Sequence, residues 1–147
     1  QKEALDKAVQ IIFDFKKNIP ATVYADEARL QQVIDNLLSN AINFTQHGTI
    51  VITAYRAQVD TNGEIDEPDK ESTVVEIKDT GTGINSEMLP RLFDKFATRS
   101  MSGTGLGLYI SKSIVDSHDG KIWAYNNQDG KGATFTFALP INKKDKK

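Results

Sequence analysis

The chain has 147 residues, 39% hydrophobic and 26% charged, with a formal net charge of -2. That length supports one compact domain with its own core, in the composition range of soluble globular proteins. The charge balance argues against nucleic acid as a main partner, because backbone phosphates are bound by clustered Lys and Arg. No apolar run approaches the roughly 20 residues that span a bilayer, and no signal-peptide pattern opens the sequence. The absence of cysteine excludes disulfide and thiolate chemistry and fits a cytoplasmic location. His47 and His118 are the only histidines, too few for a metal cluster. The basic end at 143–147 reads as a solvated terminus, which leaves a core over 9–140.

In chain order, QKEALDKA at 1–8 reads as the last turns of a helix and VQIIFDF at 9–15 as a strand. Residues 16–22, with Pro20, form a connector. Asp26 stands where a helix N-cap belongs. Leu30, Val33, Ile34, Leu37, Leu38, Ala41 and Ile42 then recur at helical spacing, predicting a long amphipathic helix. Residues 49–58 and 72–79 read as strands joined by a polar, acidic loop. From 80 to 107 the chain is rich in Gly, Ser and Thr, broken by one short apolar piece around 89–96. A second helix follows, with Leu106, Ile110 and Ile114 on one face. KIWAYN, a turn at 128–132 and ATFTFALP make a closing hairpin. Strands that arrive in adjacent pairs predict a mixed, largely antiparallel sheet with helices on one face, a two-layer α/β sandwich. No internal repeat is present.

Three polar clusters interrupt this pattern. On the long helix, Asn36, Asn40 and Asn43 fall within a stripe of roughly 60°. Asn is a mediocre helix former, so the stripe is either a solvated edge or a set of neutral oxygen ligands for a hard cation such as Mg²⁺. The second cluster, Asp79-Thr80-Gly81-Thr82-Gly83-Ile84, directly follows a strand. Its glycines permit close backbone approach, and a carboxylate at a strand end can accept from an exocyclic amine; a plain glycine turn has the same spelling. The third, Gly103-Thr104-Gly105-Leu106-Gly107-Leu108, leads into a helix whose unpaired N–H groups favour an anion. It is not the dinucleotide fingerprint, since no parallel βαβ unit surrounds it. Each cluster alone is ambiguous, while their order and spacing are not.

These residues resemble the catalytic, ATP-binding domain of sensor histidine kinases. NLLSNAINFT at 36–45 is similar to that family's N box and DTGTGI at 79–84 to its G1 box. LFDKF at 92–96 resembles the F box, GTGLGL at 103–108 the G2 box, and GKGATFTFALP at 130–140 the closing segment. The resemblance spans about 24–140 and implies the Bergerat ATP-binding fold, with ATP held between helix and sheet under a lid over 85–102. It implies ATP and Mg²⁺ as cofactors. Asn40 would coordinate the metal, with Asn36 lining the same site as its catalytic companion. Asp79 would accept from the adenine amino group, Gly81, Gly83 and Ile84 would shape the base pocket, and Thr134 would assist Asp79. Gly103, Thr104, Gly105, Leu106, Gly107 and Leu108 would form the lid hinge and the phosphate-facing turn. Phe93 and Phe96 would seat the lid.

Two departures from the family stand out. Asn43, within the ATP site, replaces the usual Lys, which implies either weaker affinity or a substitute cation, with Arg99 and Lys95 as the lid candidates. His118-Asp119-Gly120 replaces HGG, which concerns a turn. In ATP-hydrolysing relatives a glutamate activates water one turn before the metal-binding Asn. Here that position is Asn36, which cannot act as a base and favours transfer over hydrolysis.

No acceptor histidine is expected in this chain, because His118 leads into a strand and His47 ends the long helix. The resemblance therefore implies transfer to a dimerisation and phosphoacceptor domain expected to precede Gln1, then to a response regulator receiver domain. The present chain is expected to be monomeric. A serine kinase of related fold and a non-catalytic nucleotide-binding module remain as alternatives.

Overall fold

A computed structural model describes residues 9–16, 27–58, 71–95 and 106–141. The expected helix end at 1–8, the N-cap Asp26, most of the acidic loop and the basic tail lie outside these residues. The elements run β1 (Val9–Phe15), α1 (Glu27–Asn43), β2 (Gly48–Gln58), β3 (Glu71–Asp79), a 3-10 turn (Leu89–Arg91), α2 (Gly107–Ser117), β4 (Lys121–Asn126) and β5 (Ala133–Pro140). The strands form one five-stranded sheet in the order β1-β2-β3-β5-β4, so β3 is central. Three of its four pairings are antiparallel, as expected.

The fourth pairing makes the sheet mixed: β1 lies parallel to β2, with Val9 opposite Gly48 and Phe15 opposite Ala54. A parallel pair requires a crossover connection rather than a tight turn, and α1 supplies it. The two-layer α/β sandwich follows, with α1 packed on α2 and β3, and α2 also on β4 and β5.

The apolar stripe of α1 buries Val33, Leu37, Leu38, Ala41 and Ile42, while α2 buries Ser111, Ile114 and Val115. They meet Ile50, Ile52, Ile77, Phe135 and Phe137 from the sheet in one contiguous core. Strand β5 is buried at every residue from Ala133 to Leu139, although its side chains alternate between faces. On the face away from the helices, Val74 and Ala138 are covered by Tyr55, Ala57 and Trp123, which form a second, smaller cluster. The helix-side face of β1 is buried at Val9 but exposed at Phe13 and Phe15, whose rings meet edge-on at 5.9 Å.

Residues 85–92, the first part of the expected lid, form a bonded turn. Met88 and Leu89 donate backbone bonds to the Asn85 carbonyl, Glu87 N–H donates to Asn85 Oδ1, and Met88 and Leu92 are buried. Among the described residues, no helix is long and apolar enough to cross a membrane.

Leu37 is fully buried where α1 meets the sheet. Leu37→Ala should lower unfolding free energy by about 3 kcal/mol, read as a lower urea midpoint with an unchanged slope.

Candidate functional site

The sheet ends at a polar corner. Strand β3 delivers Asp79 to the helix-facing side, since its register partner is Ile50, a core residue. Asp79 is only 2% exposed, and among the described residues no positive side chain is paired to it. Its Oδ1 accepts from Gly81 N–H at 2.9 Å and from Ala133 N–H at 3.2 Å. Among the described residues no hydrogen bond reaches Oδ2. Burial pushes this carboxyl above the usual carboxylate range, against the opposing pull of the two backbone donors. One oxygen is thus fixed by two backbone donors, and the other meets no donor among the described residues.

The loop that follows is moulded on the end of α1. Thr82 N–H donates to the Phe44 carbonyl at 3.0 Å, and a Cβ on Gly81 would lie 2.0 Å from that same oxygen. Only glycine fits there. Gly83 has φ +82°, which favours glycine, and Ile84 packs half-buried against the core.

Across from this corner, the asparagine stripe of α1 divides its duties. Asn36 Nδ2 donates to the Gly107 carbonyl and to Ser111 Oγ, both at 3.2 Å, which ties α1 to the start of α2. Its Oδ1 is left without a hydrogen bond among the described residues. The half-buried Asn40 side chain makes no hydrogen bond with the described residues, and Asn43 is half-buried at the helix end. The Asn36 and Asn40 carboxamide oxygens, which meet no donor among the described residues, suit a hard cation that keeps waters and phosphates in most of its coordination sites. Among the described residues there is no group of three or more His, Cys, Asp or Glu that would make a protein-only cage. Leu106 occupies the N-cap position of α2 without a side-chain cap, and Gly107 and Leu108 begin the helix, Leu108 against the core.

Other residues expected here lie elsewhere. Thr134 pairs in register with Lys78, so it projects from the face opposite Asp79. Its hydroxyl donates to Asn127 Oδ1 at 2.6 Å, and its tie to Asp79 runs through that amide. Lys95 Nζ sits 5.8 Å from the Tyr109 ring centroid. It lines a separate cleft of about 310 Å³ with Phe93, Asp94, Tyr109, Lys112, Ser113 and Asp116. Phe96, Arg99, Gly103, Thr104 and Gly105 lie outside the described residues. His118 caps the C-terminus of α2, with Nδ1 at 2.8 Å from the Ile114 carbonyl. Sequence reasoning passed over Asn126 and Asn127, read only as the end of a strand and the start of a turn. Asn126 exchanges two hydrogen bonds with the backbone of Ile84, and Asn127 Nδ2 donates to the Asp79 carbonyl at 2.9 Å.

Residues 25–143 match the family described as histidine kinase-, DNA gyrase B-, and HSP90-like ATPases. The autoinducer 2 sensor kinase/phosphatase LuxQ of Vibrio parahaemolyticus is 34% identical over 147 residues, covering 96% of this chain and 16% of that protein. The sensor histidine kinase WalK of Bacillus subtilis is 37% identical over 136 residues, covering 86% of this chain and 21% of that protein. The chain therefore spans a small part of these curated relatives. The nucleotide-free catalytic domain of histidine kinase ThkA superposes with a TM-score of 0.73 at 30% identity, over 95% of this chain and 85% of that one. Full-length ShkA in complex with AMPPNP gives 0.75 at 28% identity, over 95% of this chain and 27% of that one.

A buried carboxyl with a raised pKa costs stability once ionised. Its contribution is favourable below the ordinary carboxyl value and is lost as pH rises through the raised one. Asp79→Asn, isosteric and neutral, should therefore melt higher than wild type at pH 7. The gap should close as pH falls toward 4, as measured by calorimetric melting at both pH values.

Proposed function

The chain belongs to the histidine kinase-, DNA gyrase B- and HSP90-like ATPase family, and on that footing we propose that it binds Mg-ATP for phosphoryl transfer. The acceptor is a histidine on a separate dimerisation and phosphoacceptor domain of the same protein, which passes the group to a response regulator receiver domain. On this reading residues 1–147 are a single ATP-binding catalytic domain, on the cytoplasmic side of a parent protein that is either anchored in a membrane or free.

The observation that carries the proposal is the half-engaged Asp79 carboxylate, with Oδ1 bonded by two backbone N–H groups and Oδ2 open among the described residues. An adenine amino group donates to such an oxygen; the carbonyl of guanine at the equivalent position cannot. Asp79 thereby selects the base, with Gly81, Gly83 and Ile84 forming the wall beside it. Asn36 and Asn40 would supply amide oxygens on the phosphate side, where Mg²⁺, when bound, would neutralise phosphate charge. The start of α2, from Leu106 to Leu108, directs backbone N–H groups and the positive end of the helix dipole at the phosphates.

What these residues lack is equally informative. Asn36 offers a carboxamide where water activation needs a carboxylate, and its Nδ2 is committed to α2. The reaction that fits is displacement at the γ-phosphorus by an imidazole nitrogen. A P–N bond forms, the bond to the bridging oxygen breaks, and ADP leaves with that oxygen.

Two measurements test the proposal. Calorimetric titration should give selective binding of ATP over GTP, strengthened by Mg²⁺ and weakened at least about tenfold by Asp79→Asn. With γ-labelled ATP, the chain alone should take up no label, while an acceptor domain supplied in trans should acquire acid-labile phosphate. Folded protein that binds no ATP, or acid-stable phosphate on the acceptor, would overturn the assignment.

A further inference from the structure

Beyond Asp79, which ends β3, residues 80–84 have no regular secondary structure, yet their position decides where the open carboxylate oxygen points. Between the two glycines, among the described residues, the Thr82–Phe44 backbone bond ties the loop to the turn that ends α1. Its two ends are held by side chains from an element that is not adjacent to β3 in the sheet. Strand β5 lies between them, and the ties come across it from the end of β4.

Asn126, the last residue of β4, accepts from Ile84 N–H at 2.7 Å and donates to the Ile84 carbonyl at 2.9 Å. A carboxamide holds one donor and one acceptor in a plane, so it pairs with a backbone residue as a neighbouring strand would. Asn127, only 7% exposed, uses its polar valences inside the fold. Its Nδ2 donates to the Asp79 and Lys131 carbonyls at 2.9 and 2.8 Å, and its Oδ1 accepts from Thr134 at 2.6 Å. Its backbone N–H closes the hairpin on the Gly132 carbonyl. That hairpin carries Ala133, whose N–H fixes Asp79 Oδ1. An asparagine favoured only by turn chemistry would bond within its own turn. These two reach 42 and 48 residues back along the chain.

We propose that Asn126 and Asn127 are positioning residues that clamp the two ends of the 79–84 loop and so set selectivity for adenine. The inference rests on the reading of Asp79 as the adenine acceptor. Asn127 fixes the carboxylate-bearing end and its backbone donor; Asn126 fixes the far wall at Ile84. Neither touches the phosphate side, where Asn36 and Asn40 stand on α1.

The test uses Asn126→Ala, Asn126→Asp, Asn127→Ala and, as control, Asp79→Asn. Each is titrated with ATP, GTP and inorganic triphosphate, all with Mg²⁺, and melted calorimetrically. Asn126→Ala and Asn127→Ala should each weaken ATP at least about tenfold and leave GTP and triphosphate within about twofold, collapsing base selectivity. Asn126→Asp, which keeps the acceptor and loses the donor, should fall between wild type and Asn126→Ala. Asn126 is solvent-exposed, so its variants are expected to fold even if Asn127→Ala does not. Unchanged selectivity in folded Asn126→Ala overturns the proposal, as does a parallel loss of all three ligands that follows melting temperature. If Asp79→Asn also keeps ATP selectivity, the adenine assignment itself falls and this inference falls with it. Loss in Asp79→Asn with none in Asn126→Ala refutes the clamp alone.

Discussion

A single carboxylate at the end of the central strand organises this structure. Among the described residues Asp79 is buried without a cation, an arrangement that is costly unless other donors stabilise the charge. The fold answers with two backbone N–H groups, and each needs its own support. The Gly81 donor requires the loop to turn sharply against the Phe44 carbonyl, which only a residue without Cβ permits. The Ala133 donor requires the β4–β5 hairpin to end at the right height, which Asn127 and Gly132 secure. The helix end, the glycine loop and the hairpin are therefore parts of one device.

Donors of this kind compensate the charge only in part. Desolvation remains the larger effect, and the carboxyl sits above its ordinary range. That residue of unfavourable energy has a use. An oxygen already satisfied by protein donors would gain little from a ligand, whereas the open Oδ2 gains a hydrogen bond in a poorly solvated place. Stability given up at Asp79 returns as discrimination when a ligand supplies the missing donor, and the rest of the core has to carry the cost.

The facing wall uses the opposite chemistry. Asn36, Asn40 and Asn43 are neutral, so their place beside the apolar stripe of α1 costs little, and no charged cage forms among the described residues. Asn36 also fastens α1 to α2 through Gly107 and Ser111, so one amide is both a wall of the site and a rivet between the two helices. A glutamate there would lose that donor function, which links the absence of a water-activating base to how the helices pack.

Much of this was legible in the residues themselves. Helical spacing from Leu30 to Ile42 announced α1, and β-rich runs announced the strands, because burial of one face imposes a period that sequence carries directly. Asp79, the two glycines after it and the asparagine stripe were visible because their residue types are unusual for their local structure. What sequence could not carry was anything decided by contacts between distant segments. The parallel β1–β2 pairing was hidden because a strand's own pattern does not state its partner's direction. Thr134 looked like a companion of Asp79, but strand register turns it to the other face and gives its hydroxyl to Asn127. Asn126 looked like the end of a strand and Asn127 like the residue before a turn, since nothing local distinguishes an amide that caps its own loop from one that grips a loop more than forty residues away. The local chemistry of each segment is written in its residues; which polar groups are left open to a ligand is decided only when the tertiary structure has paired the others.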